Sequence, residues 1–383
     1  MSKFKKIISK FFRKSFSIHP EKYSGLTFKA AETISEFEQV FTLKGISKWD
    51  ALPCTTTLIC KSGDKVIASI SLISDSGFGL PSDQHINLGR FRQKGMRVLE
   101  LSHLTIADLE NDEDQIIFPL IKFVYEFISR IQRADALITS LDSQRANFFS
   151  AIFLFEPVEQ GPLLQINSKE ESPESLVLFL HGIEAKFQKI YGHKSNQENL
   201  HQFIFALSLE NLKLPENKFR FSLVPNYTAE EFRYFFIERS DVLKSLSQRE
   251  KFFLSEFYHF PEFKELIECD SANPSYQRTS PRIAVRFRAS IINSTSSRIR
   301  SGEVHQIALH GLALKITNMD FNVGEKVSVI IDMENNTRMK VQGNVVWTSD
   351  HSAGVKLESL PEIWKEFNEH AWGMMKKELR LSA

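Results

Sequence analysis

The chain has 383 residues, 42% of them hydrophobic and 25% charged, which describes a globular protein long enough for two domains. Its formal charge of +1 excludes the global basic field of a protein that binds a nucleic acid polymer. No run approaches the ~18 apolar residues of a membrane-spanning helix, and Cys54, Cys60 and Cys269 lack metal-ligand spacing and even pairing, so they read as reduced thiols of a cytoplasmic protein.

The N-terminal stretch "MSKFKKIISKFFRKSF" sets Phe4, Ile7, Ile8, Phe11 and Phe12 at helical spacing among Lys3, Lys5, Lys6, Lys10, Arg13 and Lys14, with no acid. This pattern describes a basic amphipathic helix that suits an anionic membrane surface or docks on its own protein. A helix is expected near "ETISEFEQVFTLKG". "TTTLIC" and "KVIASISLIS" flank "KSGD" as a hairpin, and "RVLELSHLTI" reads as a further strand. "DEDQIIFPLIKFVYEFISRI" has helical periodicity behind an acidic first turn, with Pro119 either kinking the helix or marking its start. "ADALITSLD" reads as a buried strand, "SQRANFFSAIFLF" as a helix, and "ESLVLFLHGI" as a strand or a strand-to-helix transition. Together these imply a mixed sheet with helices on it.

Residues 191 to 270 read as mostly helical, and "SANPSYQRTSP" breaks the composition. Beyond it the pattern is strands separated by turns with Gly302, Gly324 and "ENN", then a closing helix "PEIWKEFNEHAWGMMKKEL". That is a small β-barrel. The 33 phenylalanines, against 7 tyrosines, suggest large apolar surfaces in a core or around a lipid-accepting pocket. His19, His85 and His305 form no metal-ligand spacing, so no metal site is expected.

The C-terminal strands carry "RTSPRIAVRF", "IALHGLAL" and "GNVVW", then "AGVKLESL", and over about residues 276 to 365 they resemble a PilZ domain, the bacterial receptor module for cyclic di-GMP. The resemblance implies that Arg278 and Arg282 grip phosphates and stack on guanine, as planar guanidinium forks do. It places the second ligand motif on Gln306, Ala308 and Gly311. Only the glycine keeps the family's residue type, at a φ expected to favour glycine. Gln306 replaces an Asp or Asn and Ala308 replaces a Ser, and an alanine methyl makes no hydrogen bond. Two lost polar contacts weaken binding by roughly 2 to 4 kcal/mol.

"LPCTTTLI", "DSGFGLPSD", "ELSHLTI", "FPLIKFVYEF" and "FFSAIFLFEPV", in that order over about residues 28 to 185, resemble FeeM-type long-chain N-acyl amino acid synthases. These are GNAT-fold relatives of the acyl-homoserine-lactone synthases. The resemblance implies acyl transfer from an acyl-carrier-protein or acyl-CoA thioester to an amino-acid amine. It makes Glu100 the base and Asp75, with Ser76 and Gly79 shaping its loop, the second acidic candidate. Taken alone, Glu100 reads as a solvent-facing strand residue and Asp75 as a turn-former before Gly77. His103, the third catalytic candidate, stands where the lactone synthases keep an arginine and could donate or titrate without being a permanent cation, and Phe149 stands where relatives keep a Tyr, which rules out a phenolic acid there. "TIADLENDEDQ" replaces the glycine-rich pyrophosphate loop of acetyltransferases, and its carboxylates disfavour acetyl-CoA.

The expected fold class is α+β: a GNAT-like mixed sheet with helices, a helical connecting region, then the barrel with its C-terminal helix. The expected divisions are 1–20 for the basic helix, 21–190 for the N-acyltransferase, 191–275 for the helical extension and 276–383 for the barrel. No tightly bound cofactor is expected. The expected location is cytoplasmic or peripheral on the inner membrane face through residues 1–16. Two functional readings stay open: an N-acyltransferase regulated or localised by the barrel, and a non-catalytic cyclic di-GMP-linked effector or scaffold on a degenerate acyltransferase fold.

Overall fold

The computed structural model describes residues 16–366 apart from 53, 76–77, 95, 108–112, 133, 159–172, 215–226, 259–260, 268–282, 295–298, 317–319, 333–337 and 350–351. The basic N-terminal stretch, Ser76, residues 108–112 of "TIADLENDEDQ", Cys269, Arg278 and Arg282 therefore lie outside the described residues. The chain divides into two compact units. The first comprises 1–45, 55–92 and 96–216, and the second comprises 46–54, 93–95 and 217–383.

The first unit is built on a seven-stranded sheet ordered β1-β2-β3-β4-β5-β7-β6. Its strands are β1 (Leu26–Ala30), β2 (Thr55–Ser62), β3 (Lys65–Ser74), β4 (Val98–Ile106), β5 (Ala136–Leu141), β6 (Glu156–Pro157) and β7 (Glu174–Phe179). The β2–β3 hairpin forms where "KSGD" signals it, with Gly63 at φ +58° in the turn. The helix Ile34–Lys44 starts at a capping box: Glu36 N–H donates to Thr33 Oγ1 at 3.2 Å and Thr33 N–H to Glu36 Oε2 at 3.3 Å.

All strand pairs are antiparallel except β4–β5. A parallel pair needs a crossover, which the helix Glu113–Phe127 supplies. Pro119 is the seventh residue of that helix and so does not mark its start. The buried helix residues Phe118, Ile121 and Val124 belong to one apolar core with Leu99, Leu101, Leu137 and Leu178 of the sheet. Register puts Leu99, Leu137 and Leu178 side by side on one sheet face and Glu100, Ile138 and Val177 on the other.

In the second unit, Tyr227, Phe232, Phe235, Phe236, Tyr258 and Phe263 pack ring against ring. They sit among short helices at Ala229–Arg233, Val242–Ser245, Gln248–Phe257 and Pro261–Lys264. The other strands close a barrel ordered β10-β13-β12-β11-β8-β9. These are β8 (Ile283–Asn293), β9 (Ile299–Ala308), β10 (Gly311–Ile316), β11 (Lys326–Asp332), β12 (Arg338–Ser349) and β13 (Ser352–Leu357). Trp364 is fully buried, and its indole N–H donates to Leu309 O at 2.9 Å. Among the described residues, no helix is long and apolar enough to cross a membrane and no cluster of three metal-ligating side chains occurs.

Candidate functional site

β4 and β5 pair only from Val98–Ala136 to Leu101–Thr139. Beyond that point β4 continues beside β3 to Ile106, while β5 continues beside β7 to Leu141, so the two strands part. The β3–β4 register shifts by one residue between Ser69–Thr105 and Ser71–Ser102. His103 lies in this bulge at φ +51°, a left-handed conformation that a side chain rarely adopts. Its Nδ1 lies 3.0 Å from Ser102 Oγ. The bulge thus breaks the ladder where β4 loses its β5 partner. Thr139, at the last paired position, has a buried hydroxyl without a hydrogen-bond partner among the described residues.

Glu100 sits just before this parting. It is 2% exposed, not solvent-facing as its position alone suggests. Oε2 accepts the Ser82 backbone N–H at 2.8 Å. Burial pushes its pKa up to about 7, against the Ser82 hydrogen bonds, which lower it; the nearby Asp83 charge adds to the rise. A carboxylate poised near neutrality suits proton abstraction from an ammonium.

Asp75 lies at the end of β3, but both of its oxygens are engaged by Arg92, Nε to Oδ2 and Nη2 to Oδ1, each at 2.8 Å. The same guanidinium reaches both oxygens of Asp83 at 2.6 Å. Asp83 in turn accepts the Leu80 N–H at 2.7 Å and lies where a Cβ on Gly79 would fall. Gly79 takes φ +80°, so the turn needs glycine on both counts. The loop that delivers Ser82 to Glu100 is therefore fastened by an ion-pair cluster. Phe149, by contrast, is a core ring packed on Phe148, Phe153 and Phe155.

On the sheet face opposite Glu100 lies an almost wholly apolar pocket of about 390 Å³, counted out to its open mouth. Leu101, Leu137 and Leu178 line it from the sheet, and Val124, Phe187 and Phe205 line it from the helical side. Leu101 follows Glu100 directly, so base and pocket meet at adjacent residues on opposite faces of one strand.

In the barrel, Gln306, Ala308 and Gly311 flank the β9–β10 turn. Gly311 does not have a positive φ. Close approach is what demands glycine there, since a Cβ would fall 2.8 Å from Val355 O. Ala308 pairs with Gly311, and Gln306 pairs with Ala313 at the last position before the register shifts.

Residues 36–164 match the family model of the N-acyl amino acid synthase FeeM, and residues 276–366 match that of the PilZ domain. The chain thus carries a region similar to N-acyl amino acid synthases followed by a region similar to PilZ domains. The N-terminal domain is GNAT-like, a mixed sheet with helices on it. Among solved structures, FeeM from uncultured soil microbes is 18% identical over 42% of this chain and 93% of its own, with a TM-score of 0.36. The PilZ domain of YcgR from Escherichia coli, solved with c-di-GMP, is 8% identical over 27% of this chain and 95% of its own, with a TM-score of 0.24. An N-acetyltransferase from Staphylococcus aureus is 14% identical over 41% of this chain and 98% of its own, with a TM-score of 0.29. No curated protein sequence matches the chain.

Sequence reasoning missed Arg92, Ser82 and Thr139. "DSGFGLPSD" signals the loop, but nothing local marks an arginine 17 residues beyond Asp75 as its partner. Ser82 acts through its backbone, to which sequence is nearly blind. Thr139 emerges only once the β4–β5 register shows where pairing stops.

Proposed function

We propose that this protein moves a long acyl chain from a carrier-protein or CoA thioester to the amine of an amino acid, and that its PilZ domain regulates or localises that activity in response to cyclic di-GMP. The observation that carries the reading is Glu100, buried beside the parting of β4 and β5 with a pKa raised to about 7. Glu100 takes a proton from the incoming ammonium. The freed amine attacks the thioester carbonyl in the opening between the strands. Backbone N–H groups of β4 beyond Leu101 and the Thr139 hydroxyl are the donors available to the oxyanion. The acyl chain occupies the apolar pocket past Leu101. Asp75, tied up by Arg92, serves the loop rather than the proton. His103 shapes the bulge with its backbone and sets its ring beside Ser102.

Cyclic di-GMP is proposed to bind through Arg278, Arg282, Gln306 and Gly311, and residues 1–16 to bind an anionic membrane surface. The test of the central reading is mass spectrometry of purified protein with carrier-bound acyl donors and mixed amino acids. N-acyl amino acids that disappear with Glu100→Gln support it. No product from any donor and acceptor overturns it in favour of a lipid- or partner-binding scaffold.

A further inference from the structure

The proposed reaction leaves a proton to be disposed of. The acceptor arrives as an ammonium, forms a C–N bond and loses two protons, while the C–S bond breaks. The departing thiolate takes one proton. The other must leave the site in every cycle, and the group that collects it, Glu100, is 2% exposed. Among the described residues a chain of hydroxyls begins at this carboxylate. The Ser82 backbone N–H donates to Glu100 Oε2 at 2.8 Å, which brings the Ser82 hydroxyl beside that carboxylate. Ser82 Oγ lies 3.2 Å from Ser140 Oγ, which lies 3.0 Å from Ser175 Oγ. The three serines come from three places, the turn after β3, strand β5 and strand β7. They converge on the Glu100 face of the sheet, since Ser140 is two residues beyond Ile138, the partner of Glu100, and pairs directly with Ser175. Ser82 and Ser175 are buried, whereas Ser140 is half-buried and reaches solvent.

We propose that Ser82 and Ser140 relay the proton collected by Glu100 out to solvent, and that Ser175 is a positioning residue that orients the Ser140 hydroxyl. The inference rests on Glu100 being the base. Ser82 Oγ accepts the carboxyl proton as it gives its own to Ser140 Oγ, and Ser140 gives its own to water. No hydroxyl gains or loses a proton overall, and rotation of the hydroxyls resets the chain. Other routes from Glu100 are poor. β3 presents Ile73 beside it and β5 presents Ile138, neither with a proton to exchange. Asp83 from the packed turn is held by Arg92, and His103 on the same strand turns to Ser102.

The experiment uses the full chain with a carrier-bound acyl donor and an accepted amino acid. Ser140→Ala is expected to lower kcat about tenfold, the equivalent of one lost hydrogen bond, with KM unchanged. The lost rate should return with rising imidazole buffer and in Ser140→Thr, and the solvent deuterium isotope effect on kcat should rise. Ser175→Ala should show the same signs more weakly, and it carries the test if Ser140→Ala does not fold. A wild-type kcat with no buffer dependence in the folded variant overturns the relay. Full activity in Glu100→Gln overturns the base assignment on which it rests, and a wild type without product removes both.

Discussion

Arg92 holds Asp75 and Asp83 at once, four nitrogen–oxygen contacts of 2.6–2.8 Å from one guanidinium. The planar fork suits two carboxylates as a lysine would not. Arg92→Met therefore leaves two neighbouring carboxylates, one of them only 10% exposed, without a counter-charge. Because Arg92 itself is 33% exposed, solvent screens part of the loss, and about 1–3 kcal/mol of stability is expected to go. Denaturant unfolding measures it. Turnover should fall as well, since the turn that delivers Ser82 to Glu100 loosens. Asp75→Asn should keep the acidic limb of the pH–rate profile in place. A limb that vanishes with Asp75→Asn would make Asp75 the base.

Glu100 links activity to pH and to stability. Its pKa rises from the ordinary 4.5 to about 7 in the folded state. Below pH 4.5 both folded and unfolded states hold the proton, and no penalty exists. As pH climbs from 4.5 to 7 the unfolded state ionises first and stability is lost, and above 7 the full penalty of burying the charge applies. That penalty is up to about 3 kcal/mol. Glu100→Gln is therefore expected to lower turnover by roughly 10² to 10⁴ while raising thermal stability at pH 8 and leaving it unchanged near pH 4. Melting curves at the two pH values check this, and a variant no more stable at pH 8 would mean that the carboxylate is not desolvated.

The contrast between these residues explains what the sequence could reveal. The β2–β3 hairpin and the helix Ile34–Lys44 were legible because alternation, a Gly-containing turn and apolar spacing are local signals. The barrel strands were legible for the same reason. Pro119 left two readings open, a helix interior or a helix start, and the helix runs through it. Glu100 could be picked out by its motif, but its burial could not, because that depends on a turn reached 18 residues earlier in the chain. Gly311 was flagged for the wrong reason. Its need for glycine comes from a carbonyl on β13, more than forty residues away in sequence.

For the PilZ domain, calorimetry with cyclic di-GMP is expected to show weak binding that Arg282→Ala abolishes. Gln306→Asp with Ala308→Ser should tighten it by about 2 to 4 kcal/mol by restoring two polar contacts. Trp364→Phe should loosen the turn after Ala308, because it removes the indole N–H that donates to Leu309 O. The expected stability cost of that lost bond is about 1 kcal/mol. No heat at millimolar ligand, in either the native or the restored motif, would end the receptor reading.

The N-terminal segment should be tested with its attachment intact. Phe16 packs on Phe118 with the rings tilted and 5.3 Å apart and meets Tyr191 edge-on at 6.2 Å, and Ile18 N–H donates to Gln197 O at 2.8 Å. From residue 16 onward the chain therefore belongs to the core of the first unit, and a deletion that reached Phe16 would confuse lost packing with lost membrane binding. Deleting residues 1–15 removes Lys3, Lys5, Lys6, Lys10, Arg13 and Lys14 with the apolar Phe4, Ile7, Ile8, Phe11 and Phe12, and spares the ring contacts. The expected outcome is a shift from anionic liposomes to the supernatant on sedimentation, with the melting temperature unchanged. Raising salt on the full chain should release only part of it, because screening weakens the attraction between lysines and lipid headgroups but not burial of the phenylalanines. Neutral liposomes should retain correspondingly less. Equal sedimentation with and without residues 1–15 would assign those charges to a role away from the membrane.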